Sequence, residues 1–157
     1  MTNMKKEELI NKLNMKSLEG EGGYYFEPYR SKDKTNGISN CGTCMYLLTP
    51  DTFSCMHKLS VDEIYYYHDG PALEMLLIYD DHSKIVKIGK NIKDGEVPQF
   101  VVPANVWQGS HMLEDGEYTL VSTSMCPAFE ASTFELGTYE LLKDKTEYLD
   151  LLKQLTK

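Results

Sequence analysis

The chain lacks any long apolar run, holds few cysteines and is short of positive charge, and each shortage removes a class of function. No stretch approaches the roughly 18 apolar residues that a membrane helix needs, so a spanning segment is not expected. Sixteen Lys and Arg against 24 Asp and Glu give a net charge of −8 over 157 residues. That balance argues against a nucleic-acid binder, because phosphate contacts require a positive surface. The segment Met1 to Glu8 is polar and lacks the apolar stretch of a signal peptide, so a cytoplasmic protein is expected. The four cysteines are Cys41, Cys44, Cys55 and Cys126. Cys41-Gly-Thr-Cys44 has the CxxC form, yet a structural zinc site would want a second pair, and a thioredoxin-type motif would want a helix after it. Cys44 to Thr49 reads instead as a strand, so all four thiols are expected to be free.

What is present is ordinary globular composition: 41% hydrophobic and 25% charged residues, which excludes disordered and collagen-like classes. At this length one domain, 1–157, can bury a core without staples. Leu9, Ile10 and Leu13 at helical spacing predict a helix over 5–13, with Thr2 or Asn3 as cap. Gly20-Glu-Gly-Gly23 ends it. Short segments rich in β-branched and aromatic residues follow, at Tyr24 to Tyr29, Cys44 to Leu48, Phe53 to Leu59, Glu63 to His68 and Leu73 to Tyr79. Further ones run Ile85 to Ile88, Phe100 to Val102, Tyr118 to Ser124 and Phe134 to Leu136. Ser31 to Asn40 reads as a polar loop turning at Asn36-Gly37. Many short strands with Gly, Pro and Asp between them predict an all-β antiparallel sandwich or barrel. A final run with Leu149, Leu152 and Leu155 on one face, capped by Thr146, predicts a helix packed outside the sheet.

Two segments carry candidate chemistry. In the first, His57, Leu59 and Glu63 share parity. His57 and Glu63 would lie about 20 Å apart on one straight strand, so they meet only if Ser60-Val61-Asp62 turns the chain, as in a hairpin. In the second, the chain meets Pro103, turns through Asn105, which tolerates left-handed geometry, and resumes with Gln108 inward. His57 with Glu63 reads as an acid/base pair in which the carboxylate orients the imidazole. Tyr65, Tyr67, Tyr25, Glu27 and Tyr29 are candidate lining residues. Trp107 reads as packing, and His68 and His82 as surface residues. His111, of opposite parity to Gln108, is a poor ligand.

The spacing His57, Glu63, Gly70 resembles the first cupin motif, and Pro103, Asn105, Gln108 occupy the places of the second. More narrowly, the chain resembles the small cupins grouped as DUF985 or cupin-5. The resemblance runs through Glu21-Gly-Gly-Tyr-Tyr25, Tyr29-Arg30-Ser31, Leu47-Leu-Thr-Pro50, His57-x-Leu-x-x-Asp-Glu63-Ile64, Val102-Pro-Ala-x-Val-Trp-Gln108 and Phe134-Glu-Leu136. It implies a jelly-roll β-sandwich or barrel with short terminal helices, a homodimer, and in some members the label of a sugar epimerase. Metal-binding cupins offer three His and one Glu. Here Leu59 and Gln108 stand at two of the His places, leaving His57, Glu63 and Gln108 as the only metal candidates, with no cofactor expected. The expected role is capture of a small polar ligand, sugar-like or nucleotide-like, in the pocket. The alternatives are a His57/Glu63 epimerase or isomerase, and a structural or partner-binding protein without turnover.

Overall fold

The structure is a computed structural model that describes residues 4–157. The N-terminal helix α1, Lys6–Lys12, follows Lys5 without a side-chain cap. Thr2 and Asn3, expected as caps, lie outside the described residues. Apolar Leu9, Ile10 and Leu13 of this segment pack on Leu47 and Tyr118. Strands β1, Lys16–Ser17, and β2, Tyr24–Arg30, come next. The expected polar loop contains a small hairpin, β3, Lys34–Thr35, and β4, Ile38–Ser39. Asn36 and Gly37 turn it with φ of 53° and 82°, the left-handed pair that two-residue hairpins need.

The main strands are β5, Gly42–Leu48; β6, Ser54–Leu59; β7, Glu63–Asp69; β8, Leu73–Ile78; and β9, Ser83–Ile88. They continue with β10, Gln99–Val102; β11, Trp107–Met112; β12, Thr119–Met125; and β13, Phe134–Leu136. They form a six-stranded sheet ordered β1-β2-β5-β12-β7-β10 and a five-stranded sheet ordered β13-β6-β11-β8-β9. The pairings within both sheets are antiparallel. The sheets face one another as a jelly-roll sandwich and do not close into a continuous barrel.

Period-two alternation sorts the side chains between the two faces. Tyr46 and Leu48 of β5, Tyr65 of β7, Leu73, Met75 and Leu77 of β8 and Val121 of β12 meet between the sheets. Leu76, Ile78, Met56 and Trp107 point the other way, outside the five-stranded sheet, and take Leu142, Leu152 and Leu155 from the C-terminal segment. That segment holds α2, Tyr139–Leu142, and α3, Leu149–Gln154. Thr138 caps α2, its side chain accepting from the Leu141 amide. Thr146, expected to cap the last helix, instead accepts from the Tyr148 amide and donates to Ser83; Tyr148 is the cap position. No described helix is long and apolar enough to cross a membrane.

The link Ser60–Asp62 does not close a hairpin. β6 belongs to the five-stranded sheet and β7 to the six-stranded one, so these three residues carry the chain across the sandwich. Two bonds fix the crossing to the loop before β11: the Asn105 amide donates to the Leu59 carbonyl at 2.7 Å, and the Ala104 amide to the Asp62 carboxylate at 2.8 Å. Asn105 itself has φ of 65°, the left-handed geometry expected of it.

Gly70 ends β7 with φ of 93°. A Cβ there would lie 2.1 Å from the Tyr118 carbonyl oxygen. Both the backbone conformation and the contact oppose a side chain, so Gly70→Ala is expected to cost at least about 2 kcal/mol. Chemical denaturation compared with the parent protein measures it; an unchanged midpoint would contradict this account of the turn.

Candidate functional site

A cavity of about 340 Å³ opens at one end of the sandwich. Its walls include Glu21, Tyr25, Glu27, Arg30, Cys44, Tyr46, His57, Leu59, Glu63, Tyr65, Thr123 and Phe129. β6 supplies His57 and Leu59 from one sheet. β7 supplies Glu63 and Tyr65 from the other, because the crossing at Ser60–Asp62 turns both inward faces toward the same space. His57 is 1% exposed and Glu63 7%.

His57 and Glu63 are thus brought to one cavity, but Glu63 does not hold the imidazole. The His57 Nδ1 lies 2.7 Å from the Cys55 carbonyl. A carbonyl only accepts, so Nδ1 carries a proton and Nε2 is the ring atom left for the cavity. The carboxylate nearest to Nε2 is Glu21, at 3.9 Å. Phe134 stacks on the ring, centroids 5.2 Å apart, and fixes its plane. The expected orienting role of Glu63 therefore falls to a backbone carbonyl and an aromatic face.

Glu63 answers to Gln108. The Gln108 Nε2 donates to the Glu63 Oε2 at 2.8 Å, and its Oε1 accepts from the Tyr65 hydroxyl at 2.9 Å. Gln108 pairs with His57 across β11 and β6, so the amide comes from the sheet opposite Glu63 and is 1% exposed. Burial, followed by the negative charge of Glu21, pushes the Glu63 carboxyl above its ordinary value; His57 and the hydrogen bonds from Gln108 and Thr123 pull the other way. Burial also pushes the phenols of Tyr65 and Tyr46 well above the usual range, so both stay protonated.

Among the other expected lining residues, Tyr25 and Glu27 are in the cavity wall. Tyr29 is not: it is 54% exposed, because the pairing of β2 with β5 shifts register between Phe26 and Tyr29. Tyr67 lies further along β7, and its hydroxyl donates to the Gly70 carbonyl. Trp107 packs outside the sheet with the Lys58 ammonium 4.6 Å over its ring. His111 meets Glu74, His68 meets Ser122 and His82 meets Asp81. Glu21 was not singled out from the sequence as a site residue. The signal was the adjacent Gly22-Gly23. A Cβ at Gly22 would lie 2.1 Å from the Phe53 carbonyl, and that close approach sets the Glu21 side chain beside Ser54 and His57.

The donor set does not suit a transition metal. Leu59 cannot ligate, the Gln108 amide already serves Glu63 and Tyr65, and an amide oxygen is a weak ligand. Among the described residues no three His, Cys, Asp or Glu side chains gather as a metal site.

Comparison with known proteins places this arrangement. The family model described as cupin superfamily (DUF985), Cupin_5, matches residues 7–137. The chain belongs to that family. It is 34% identical, over 77% of its length and 71% of the relative's, to the uncharacterised protein YML079W of Saccharomyces cerevisiae. Among solved structures it is similar to protein SO0799 from Shewanella oneidensis, with a TM-score of 0.91 and 28% identity over 98% of both chains. A hypothetical protein from Leishmania major gives a TM-score of 0.88 and 28% identity over 98% of this chain and 99% of that one. Bacillus subtilis oxalate decarboxylase, 17% identical with a TM-score of 0.59, shares the cupin fold alone.

The raised Glu63 value sets a pH signature. The folded protein keeps this proton to higher pH than the unfolded chain, whose carboxyl titrates around its ordinary value of 4.5. The stability tied to that proton is full below this pH and is lost as pH rises through the folded value. Glu63→Gln removes the group, so the melting temperature of the variant should gain on the parent as pH rises from about 4.5 through neutrality. Parallel melting curves across that range would refute the assignment.

Proposed function

We propose that this cupin captures a small, hydroxyl-rich, sugar-like molecule in the cavity, without a metal ion. The observation that carries the reading is the buried His57, whose Nδ1 is committed to the Cys55 carbonyl while Nε2 faces the cavity beside Glu21. Together they offer a ring nitrogen and a carboxylate to ligand hydroxyls, while Tyr25 supplies an aromatic wall. The charge of the walls favours a sugar over a nucleotide. Glu21 and Glu27 repel phosphate, and the Arg30 guanidinium in the wall is held by Glu27, Glu130 and the Phe129 carbonyl.

A second reading, epimerisation, rests on the same ring atom. Nε2 is placed to take a proton from carbon next to a carbonyl, with Glu21 stabilising the imidazolium that results. Deuterium exchange from solvent into keto-sugars, lost in His57→Ala, tests it; no exchange across the panel leaves binding without turnover.

Thermal melting against monosaccharides, nucleosides and nucleoside phosphates tests the primary reading. A sugar should raise the melting temperature, His57→Ala should abolish the shift, and Glu21→Gln should weaken affinity about tenfold, a loss of about 1.4 kcal/mol. Shifts confined to phosphate-bearing compounds would overturn the reading. Protein purified without added metal should carry far less than one equivalent, and a stoichiometric ion would overturn the metal-free part.

A further inference from the structure

The CxxC sequence directs attention to Cys41 and Cys44, but the fold separates them. Cys44 is three residues along the strand, so it takes the face opposite to Cys41 and lines the cavity. Its thiol donates to the Met45 carbonyl, and burial pushes it up to about 12. Cys55 is 1% exposed within β6.

Cys41 has a different neighbour. The register between β5 and β12 ends at Gly42 opposite Met125. One residue beyond on each strand stand Cys41 and Cys126, which the continued register sets opposite one another; the Cys126 thiol is pushed up by its neighbour Cys41 and by burial. Opposed residues of an antiparallel pair have Cα atoms about 4.5–5.5 Å apart, inside the range of about 4.4–6.8 Å that a disulfide spans. The backbone holds both in place: the Ser31 amide donates to the Cys41 carbonyl at 2.8 Å, and the Ala128 amide to the Ser39 carbonyl at 2.9 Å. Cys126 is exposed and Cys41 half-buried, so a small oxidant reaches the pair without unfolding.

We propose that Cys41 and Cys126 are an oxidative modification site that closes to an intramolecular disulfide on exposure to a peroxide. One thiolate attacks the O–O bond, expelling hydroxide, which takes a proton to become water, and leaving a sulfenic acid. The second sulfur then displaces that hydroxyl as water. One peroxide and two thiols become one disulfide and two waters. The bond would join the ends of β5 and β12 beside Gly42, Met125 and Phe129, which line the cavity. Oxidation thereby ties together two strands of the cavity wall. The site stands whether or not the cavity binds a sugar.

Treatment of the folded protein with hydrogen peroxide, followed by alkylation under denaturing conditions and mass spectrometry, tests this. The reduced chain should take four alkyl groups and the oxidised chain two, with a Cys41–Cys126 linked peptide that dithiothreitol removes. Cys41→Ser and Cys126→Ser should each abolish the link, and Cys44→Ser should leave it intact. A Cys41–Cys44 link, a link only between two copies of the chain, or sulfonic acid on Cys126 with no link would each overturn the proposal.

Discussion

The site depends on one constraint, the three-residue crossing at Ser60–Asp62. It takes the chain from the five-stranded to the six-stranded sheet, so that the inward face of β6 is followed at once by the inward face of β7. The loop before β11 is tied to that crossing at Leu59 and Asp62. The strand carrying Gln108 is thereby indexed to the same point as His57 and Glu63. A polar group taken from water needs partners, and this crossing delivers them: a buried carboxyl receives an amide from the opposite sheet without any side chain reaching out of its strand.

The same constraint explains the difference from a metal-binding cupin. At Leu59 an apolar side chain fills a ligand place, and the imidazole of His57 is turned so that Nδ1 is spent on the Cys55 carbonyl. At Gln108 each end of the amide is engaged, the oxygen by Tyr65 and the nitrogen by Glu63. The Glu63 carboxyl is disfavoured as an anion by burial and by Glu21, which weakens its pull on a cation. The arrangement is a buried polar cluster whose hydrogen bonds are made within the protein.

Much of this was legible in the sequence. Strand spacing and the two motif segments gave the sandwich, the inward parity of His57, Glu63, Tyr65 and Gln108, and the left-handed turn at Asn105. Which sheet each strand joins was not legible, because period-two alternation reads the face of a strand and not its neighbour. The link after β6 therefore read as a hairpin, and Glu63 as the partner of His57. Glu21 and Phe134 reach the imidazole through tertiary contacts over long sequence separation, and local pattern carries no record of them. Tyr29 was misplaced by a register shift between β2 and β5, and Tyr67 by its distance along β7. The Thr146 cap failed because its hydroxyl found Ser83 across the fold.

The amide at Gln108 has a consequence for the traffic of protons. Its hydrogen bonds run one way, from the Tyr65 hydroxyl into the amide oxygen and from the amide nitrogen into Glu63. An imidazole in that place would accept a proton at one nitrogen and release another, passing charge along the chain. An amide cannot do so near neutral pH, so Gln108 passes no proton between Tyr65 and Glu63, and transfer between them is left to the direct contact of the Tyr65 hydroxyl with the Glu63 Oε2 at 3.4 Å. The amide thus ties a strand of one sheet to a strand of the other without adding a path for protons between them.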